Sequence, residues 1–149
     1  MTLTDLSATE ISRRIASISV TSVEIMAAFL DRIEAENPKI NAIVSMRSRT
    51  ELMREAAAAD KAPSKGWLHG LPVAVKDVVA TKGLRTTYGS PLFADHVPQD
   101  DDILAARLRA AGAIFIGKTN TPEWGHGSHS FNPVHGTTLN PYDVSRSAG

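Results

Sequence analysis

Apolar and polar positions in the first third of the chain alternate at helical spacing. Val23, Met26, Ala27, Leu30 and Ile33 fall three and four residues apart and make one apolar stripe, which predicts a helix from about Ser22 to Glu36. Ser7-Ala8-Thr9-Glu10 and Thr21-Ser22-Val23-Glu24 are both S/T-x-x-E capping boxes, in which hydroxyl and glutamate satisfy the backbone donors left open at a helix start. A helix is expected after each. Asn37-Pro38 supplies the stop of the second, because proline disfavours helical geometry in the residue before it. A third helix is expected over Thr50 to Lys61, carrying Leu52, Met53, Ala56 and Ala57 and ending at the breaker Pro63-Ser64-Lys65-Gly66.

The pattern changes after residue 65. Gly70-Leu71-Pro72 leads into Val73-Ala74-Val75-Lys76-Asp77-Val78-Val79, a run of strand length rich in β-branched residues and read as a buried strand. Asp100-Asp101-Asp102 then sets acids at the positive end of a helix dipole, predicting a helix from about Ile103 to Ala111 with Gly112 just past its end. Ala113-Ile114-Phe115-Ile116 follows as a second strand. Strand, crossover helix, strand predicts a parallel pair in an α/β sheet. Of the last thirty residues, Asn120 to Gly149, seventeen are Gly, Pro, Ser, Asn or Thr, so this stretch reads as one long loop with a helical turn at Thr121-Pro122-Glu123-Trp124. Two regions result: residues 1–65, mainly helical, and residues 66–149, strand-helix-strand plus loop.

Composition narrows the function classes. Hydrophobic residues are 42% and charged residues 21% of the 149, enough apolar material for one core and unlike a disordered chain. Sixteen basic residues balance sixteen acidic ones, and neither region carries an excess, so direct nucleic-acid binding and membrane-surface attraction lack a driving force. The absence of cysteine removes disulfides and thiolate chemistry and fits a reducing compartment. No stretch approaches the ~20 apolar residues of a membrane span, and Met1 to Glu10 lacks a signal-like apolar block, so a cytoplasmic location is expected.

Lys76 is the first candidate for chemistry. On a central strand, flanked by Val75 and Val78, its ammonium would be partly desolvated, which lowers its pKa and lets the amine act as a base. The alternative is a solvated lysine reaching out from the strand end or pairing with Asp77. His126, His129 and His135 raise a metal reading, but no HExxH motif accompanies them, only Glu123 and Asp143 lie near, and loop hydrogen bonding is preferred. Gly125-His126-Gly127 is half of a dinucleotide motif without its helix and is set aside. Gly112 to Thr119 matches a Walker A pattern by letter, yet its interior is the apolar run Ala-Ile-Phe-Ile of a strand, so it is not read as a phosphate loop. A neutral lysine can also activate a serine; Ser128, Ser130, Ser145 and Ser147 are candidates that spacing does not separate.

Three motifs together resemble the amidase signature family: Gly70-Leu71-Pro72-Val73-Ala74-Val75-Lys76-Asp77; Gly112-Ala113-Ile114-Phe115-Ile116-Gly117-Lys118-Thr119-Asn120 with Pro122-Glu123; and Asn140-Pro141-Tyr142-Asp143 with Arg146-Ser147-Ala148-Gly149. The N-terminal helices and Asn41-Ala42 also look like the opening of that family, so the resemblance covers essentially the whole chain. It implies an α/β/α fold around a mixed sheet and hydrolysis of small carboxylic amides by a Ser-Ser-Lys triad, with no cofactor and no metal. Lys76 matches the triad lysine. The glycine- and serine-rich stretch that bears both family serines starts at the position of Gly149. Both are therefore expected beyond it, and residues 1–149 are expected to be the N-terminal part of a single, truncated domain, inactive alone. Ser145 and Ser147 precede that stretch and do not replace them. The resemblance also admits the glutaminase component of a tRNA-dependent amidotransferase, although Gly127 to Asn132 looks more like the general amidases. A short non-catalytic interaction module is a further alternative; its open sheet edge would favour a homodimer or aggregation.

Overall fold

In the computed structural model, which describes residues 2–149, the helices form where capping and stripe coincide. They are α1 (Ala8–Ala16), α2 (Ser22–Ile40), α3 (Arg49–Lys61) and α4 (Ile103–Ala110). At Thr21 the capping box is complete: the Glu24 N–H donates to Thr21 Oγ1 at 3.1 Å and the Thr21 N–H donates to Glu24 Oε2 at 2.8 Å. At Ser7 only half of it forms. Ser7 Oγ accepts from the Glu10 N–H, but the Glu10 carboxylate turns along the helix to Arg13 and Arg14. Ser48 caps α3 by accepting from the Glu51 N–H at 3.3 Å.

α2 does not stop at Glu36; it runs through Pro38 to Ile40 and ends on Asn41 in the left-handed conformation, φ 52°. A proline near a helix end forfeits one internal hydrogen bond, and the Asn37 side chain offsets the loss. Its Oδ1 accepts from the Ala42 and Ile43 N–H groups and its Nδ2 donates to the Ile43 carbonyl, which fastens the helix end to the next strand.

That strand is β1 (Ile43–Val44), followed in the chain by β2 (Pro72–Lys76) and β3 (Ile114–Thr119). The sheet order is β1-β3-β2, with β2 parallel and β1 antiparallel to β3, so the sheet is mixed and β3 is its centre. β2 ends at Lys76 rather than at Val79, because the Val79 N–H turns back to the Lys76 carbonyl at 3.0 Å. β3 continues three residues past Ile116 to Thr119. Gly117 permits this: a Cβ there would lie 3.1 Å from both the Val44 carbonyl and Met46 Cα, so β1 closes on β3 only over a glycine.

Both faces of the sheet are covered. On one, Phe115 and Val75 pack with Ile11, Ile25, Leu71 and Ala105. On the other, Ile114 and Ile116 pack with Met26 and Leu30 of α2 and with Leu52 and Ala56 of α3. The α2 stripe read from the sequence points into this second cluster. The predicted loop holds two small antiparallel pairs, β4 (Phe131–Asn132) with β5 (Gly136–Thr137), and β6 (Leu139–Asn140) with β7 (Asp143–Ser147). The helical turn before them is a short 3-10 turn, Glu123–Gly125, entered from Pro122.

Candidate active site

β2 and β3 run in parallel and end together, and the segments after them, 77–90 and 120–149, gather at that end. Ligand sites of parallel sheets lie beyond the C-terminal ends of their strands. Lys76 is the last residue of β2 and stands opposite Thr119. It is exposed, and its amine has no hydrogen-bond or ion-pair partner among the described residues. The expectation of a desolvated Lys76 on a central strand is therefore corrected for this chain: β2 borders the three-stranded sheet, and Lys76 stands past the cover that packs against Ala74.

The lysine that is desolvated is Lys118, on β3. It is wholly buried, and its Nζ donates to the Val79 carbonyl at 2.5 Å and to Thr81 Oγ1 at 2.9 Å. Burial lowers its pKa from 10.5 to about 8, against the opposing pull of Asp77 and Asp101. A bulge aims it there. The register of β2 on β3 passes from Val73 opposite Phe115 to Ala74 opposite Gly117, so Ile116 is the extra residue. Beyond it Lys118 shares the face of Val75 instead of that of Ile116. The sequence holds this lysine inside the Gly112 to Thr119 pattern, but nothing local announces a bulge. The Walker-like segment is a buried strand, as its composition indicates.

Next to Lys76, Asp77 is buried and bonded at every polar atom. Its N–H donates to the Thr119 carbonyl, its carbonyl accepts from the Tyr88 N–H, and its carboxylate accepts from the Thr87 N–H at 3.1 Å and the Thr87 hydroxyl at 2.5 Å. His135 Nε2 lies 3.2 Å from the same hydroxyl and 3.5 Å from Asp77 Oδ2. Beside this cluster Tyr88 stacks on Trp124, ring centres 5.6 Å apart, with Phe93 edge-on to both. The Trp124 N–H donates to the Tyr88 carbonyl at 2.7 Å.

Three buried side chains order the long loop. Asn132 Nδ2 donates to Asn120 Oδ1 and to the Thr121 carbonyl, and Asn120 Nδ2 donates to Thr138 Oγ1 and the Gly136 carbonyl. The Thr138 hydroxyl in turn reaches the Asn41 carbonyl at 2.6 Å. The hairpin thereby seats on the ends of β3 and α2. The Ser130 N–H donates to the Ala148 carbonyl at 2.8 Å, and a Cβ on Gly149 would lie 1.9 Å from the Ser128 carbonyl, so residues 147–149 lie against 128–130.

The histidines do not converge. His126 faces the Trp124 carbonyl, His129 pairs with the Ser147 hydroxyl at 3.0 Å, and His135 serves Thr87. Among the described residues no group of three or more His, Cys, Asp or Glu could hold a metal ion. The Ser145 hydroxyl donates to Asp143, and none of Ser128, Ser130, Ser145 and Ser147 hydrogen-bonds to Lys76. No helix among the described residues is long and apolar enough to cross a membrane.

The family model for Amidase matches residues 24–149. An acylamidase of Rhodococcus erythropolis is 41% identical over 150 residues, covering 97% of this chain and 31% of its own length. A component of the glutamyl-tRNA(Gln) amidotransferase of Desulfatibacillum aliphaticivorans is 38% identical, covering 100% of this chain and 31% of its own. Among solved structures, a fatty acid amide hydrolase superposes with a TM-score of 0.86 at 28% identity, over 95% of this chain and 26% of that one. The chain thus spans a little under one third of these relatives. It belongs to the amidase family, and its α/β architecture with a mixed sheet is that of amidase-signature enzymes.

Proposed function

We propose that this chain supplies the lysine-bearing, N-terminal part of an enzyme that hydrolyses small carboxylic amides through a Ser-Ser-Lys triad. The observation that carries the reading is Lys76 itself. It lies within the matched family segment, at the C-terminal end of a parallel strand, with an unencumbered amine beside the anchored Asp77. In this reading Lys76, as the free amine, takes the proton of a serine hydroxyl through the second serine. The hydroxyl oxygen attacks the amide carbonyl, and the proton passes to the departing nitrogen as the C–N bond breaks. Water then cleaves the ester that remains. Both serines belong to the segment that the resemblance places beyond Gly149, so the isolated chain lacks turnover. On the same reading the protein is cytoplasmic, needs no cofactor or metal, and can pair as a homodimer.

The test is release of amine or ammonia from aliphatic amides, aryl amides and glutamine by the natural full-length product. Release from a simple amide by the protein on its own supports the proposal, and no release from any of them by folded protein overturns it. The glutaminase component of a tRNA-dependent amidotransferase is the second reading, favoured by the relative from Desulfatibacillum aliphaticivorans. It requires glutamine hydrolysis that rises when the other components of such a complex are added.

A further inference from the structure

We infer that His135 is a positioning residue for Lys76, joining the strand end that carries the lysine to the hairpin that holds residues 147–149. This rests on the amidase reading of the site. The bonding of Thr87 fixes how His135 acts. The Thr87 oxygen meets three groups: Asp77 Oδ2 at 2.5 Å, the Gly89 N–H at 3.0 Å and His135 Nε2 at 3.2 Å. A hydroxyl has one proton and two acceptor positions, and an ionised carboxylate only accepts. The proton therefore lies toward Asp77, and Gly89 and His135 both donate into the oxygen. His135 thus carries its proton on Nε2, and the same N–H faces Asp77 Oδ2 at 3.5 Å.

The backbone of His135 is held from the other side. Its N–H donates to Asn132 Oδ1 at 2.7 Å, and its carbonyl accepts from Asn41 Nδ2 at 2.7 Å. It sits in the turn between β4 and β5, and Ser130, ahead of β4, holds the Ala148 carbonyl. One imidazole N–H therefore ties the residue next to Lys76 to the strand-like pairing of 130 with 148. Asp77 and Thr87 are fully buried and the His135 side chain is 9% exposed, so water does not substitute for the bond. In the proposed enzyme the serines follow that pairing, and His135 sets their register against the lysine amine.

Two amide substitutions separate reach from polarity. In His135→Gln the side-chain NH2 falls where Nε2 lies; in His135→Asn it falls where Nδ1 lies, one bond short of Thr87. Hydrogen exchange at the Thr87 and Gly89 amides is measured on the full-length product, with β3 amides as the internal reference. We expect exchange to rise about tenfold in His135→Asn, the loss of one buried hydrogen bond, and to stay near the parent in His135→Gln. Amide hydrolysis should show kcat lowered by about 10–100-fold in His135→Asn at unchanged KM, with recovery in His135→Gln. The inference is overturned if exchange and kcat of His135→Asn both stay within about twofold of the parent, or if His135→Gln is as impaired as His135→Asn. A parent that hydrolyses no amide fails the amidase reading instead, and the exchange data still decide whether the histidine clamp exists.

Discussion

Lys118 makes stability depend on pH in a way that can be worked out from its surroundings. In the unfolded chain its amine titrates near 10.5, and burial under the turn after β2 brings this to about 8 in the folded protein. At about 1.36 kcal/mol for each tenfold change in proton affinity, the folded state carries about 3 kcal/mol of penalty when both states are charged. That condition holds below pH 8. Above 10.5 both states are neutral and the penalty is gone. Between the two the unfolded chain binds more protons than the folded one, so the contribution of this residue to stability rises with pH. Lys118→Met removes the titrating group at similar length, and every other ionisation is shared by parent and variant. The assay is urea denaturation of both proteins at steps from neutral pH to about pH 10.5. The stability of the parent relative to Lys118→Met should climb by about 3 kcal/mol across that range. A difference that stays flat within about 1 kcal/mol would show that the buried amine keeps its ordinary pKa, and the burial reasoning would be wrong.

Two further substitutions probe the packing that presents the site. Gly70 has φ +75°, and a Cβ there would stand 1.9 Å from Ser22 Oγ and 2.8 Å from Ser22 Cβ. Gly70→Ala should therefore cost about 2–5 kcal/mol in urea denaturation, from backbone strain plus overpacking, and a cost under about 1 kcal/mol would refute the contact. Asp60, in the last turn of α3, accepts from the Ser22 N–H at 2.6 Å and the Val23 N–H at 3.2 Å, capping α2 from across the helix pair. Asp60→Ala should lose about 1–2 kcal/mol with earliest hydrogen exchange in the first turn of α2, and unchanged exchange there would remove Asp60 from the cap.

What the sequence displays and what it hides divide along physical lines. The α2 stripe and the Thr21 box act within a few residues, so they are legible and the structure follows them. Ser7 and Pro38 depart because a competing partner wins: arginines one turn on draw Glu10 away, and the Asn37 side chain makes a proline tolerable inside a helix. β1 is two residues long and has no periodicity to detect. Of the two lysines, Lys118 is the desolvated one and Lys76 is exposed. A lysine on the central strand is indeed desolvated, but which strand is central depends on β1 joining β3, and which face Lys118 takes depends on the bulge at Ile116. Both are tertiary facts. The clamp of Asp77 by Thr87 and His135 spans 48 residues between Thr87 and His135, beyond the reach of any local pattern. The family motifs, in contrast, bring Lys76 forward without any of this, since they compare whole segments.

The role of Lys76 is tested most directly by its replacement in the full-length product. Within residues 2–149 no packing or hydrogen bond rests on its amine, so Lys76→Ala should leave the protein folded, as judged by circular dichroism and a cooperative denaturation transition. Steady-state amide hydrolysis should then fall by about 10²–10⁴-fold in kcat, the worth of one general acid and base. A folded Lys76→Ala protein that keeps its kcat within about threefold of the parent would contradict the account, because the proton would then be moving through some other group.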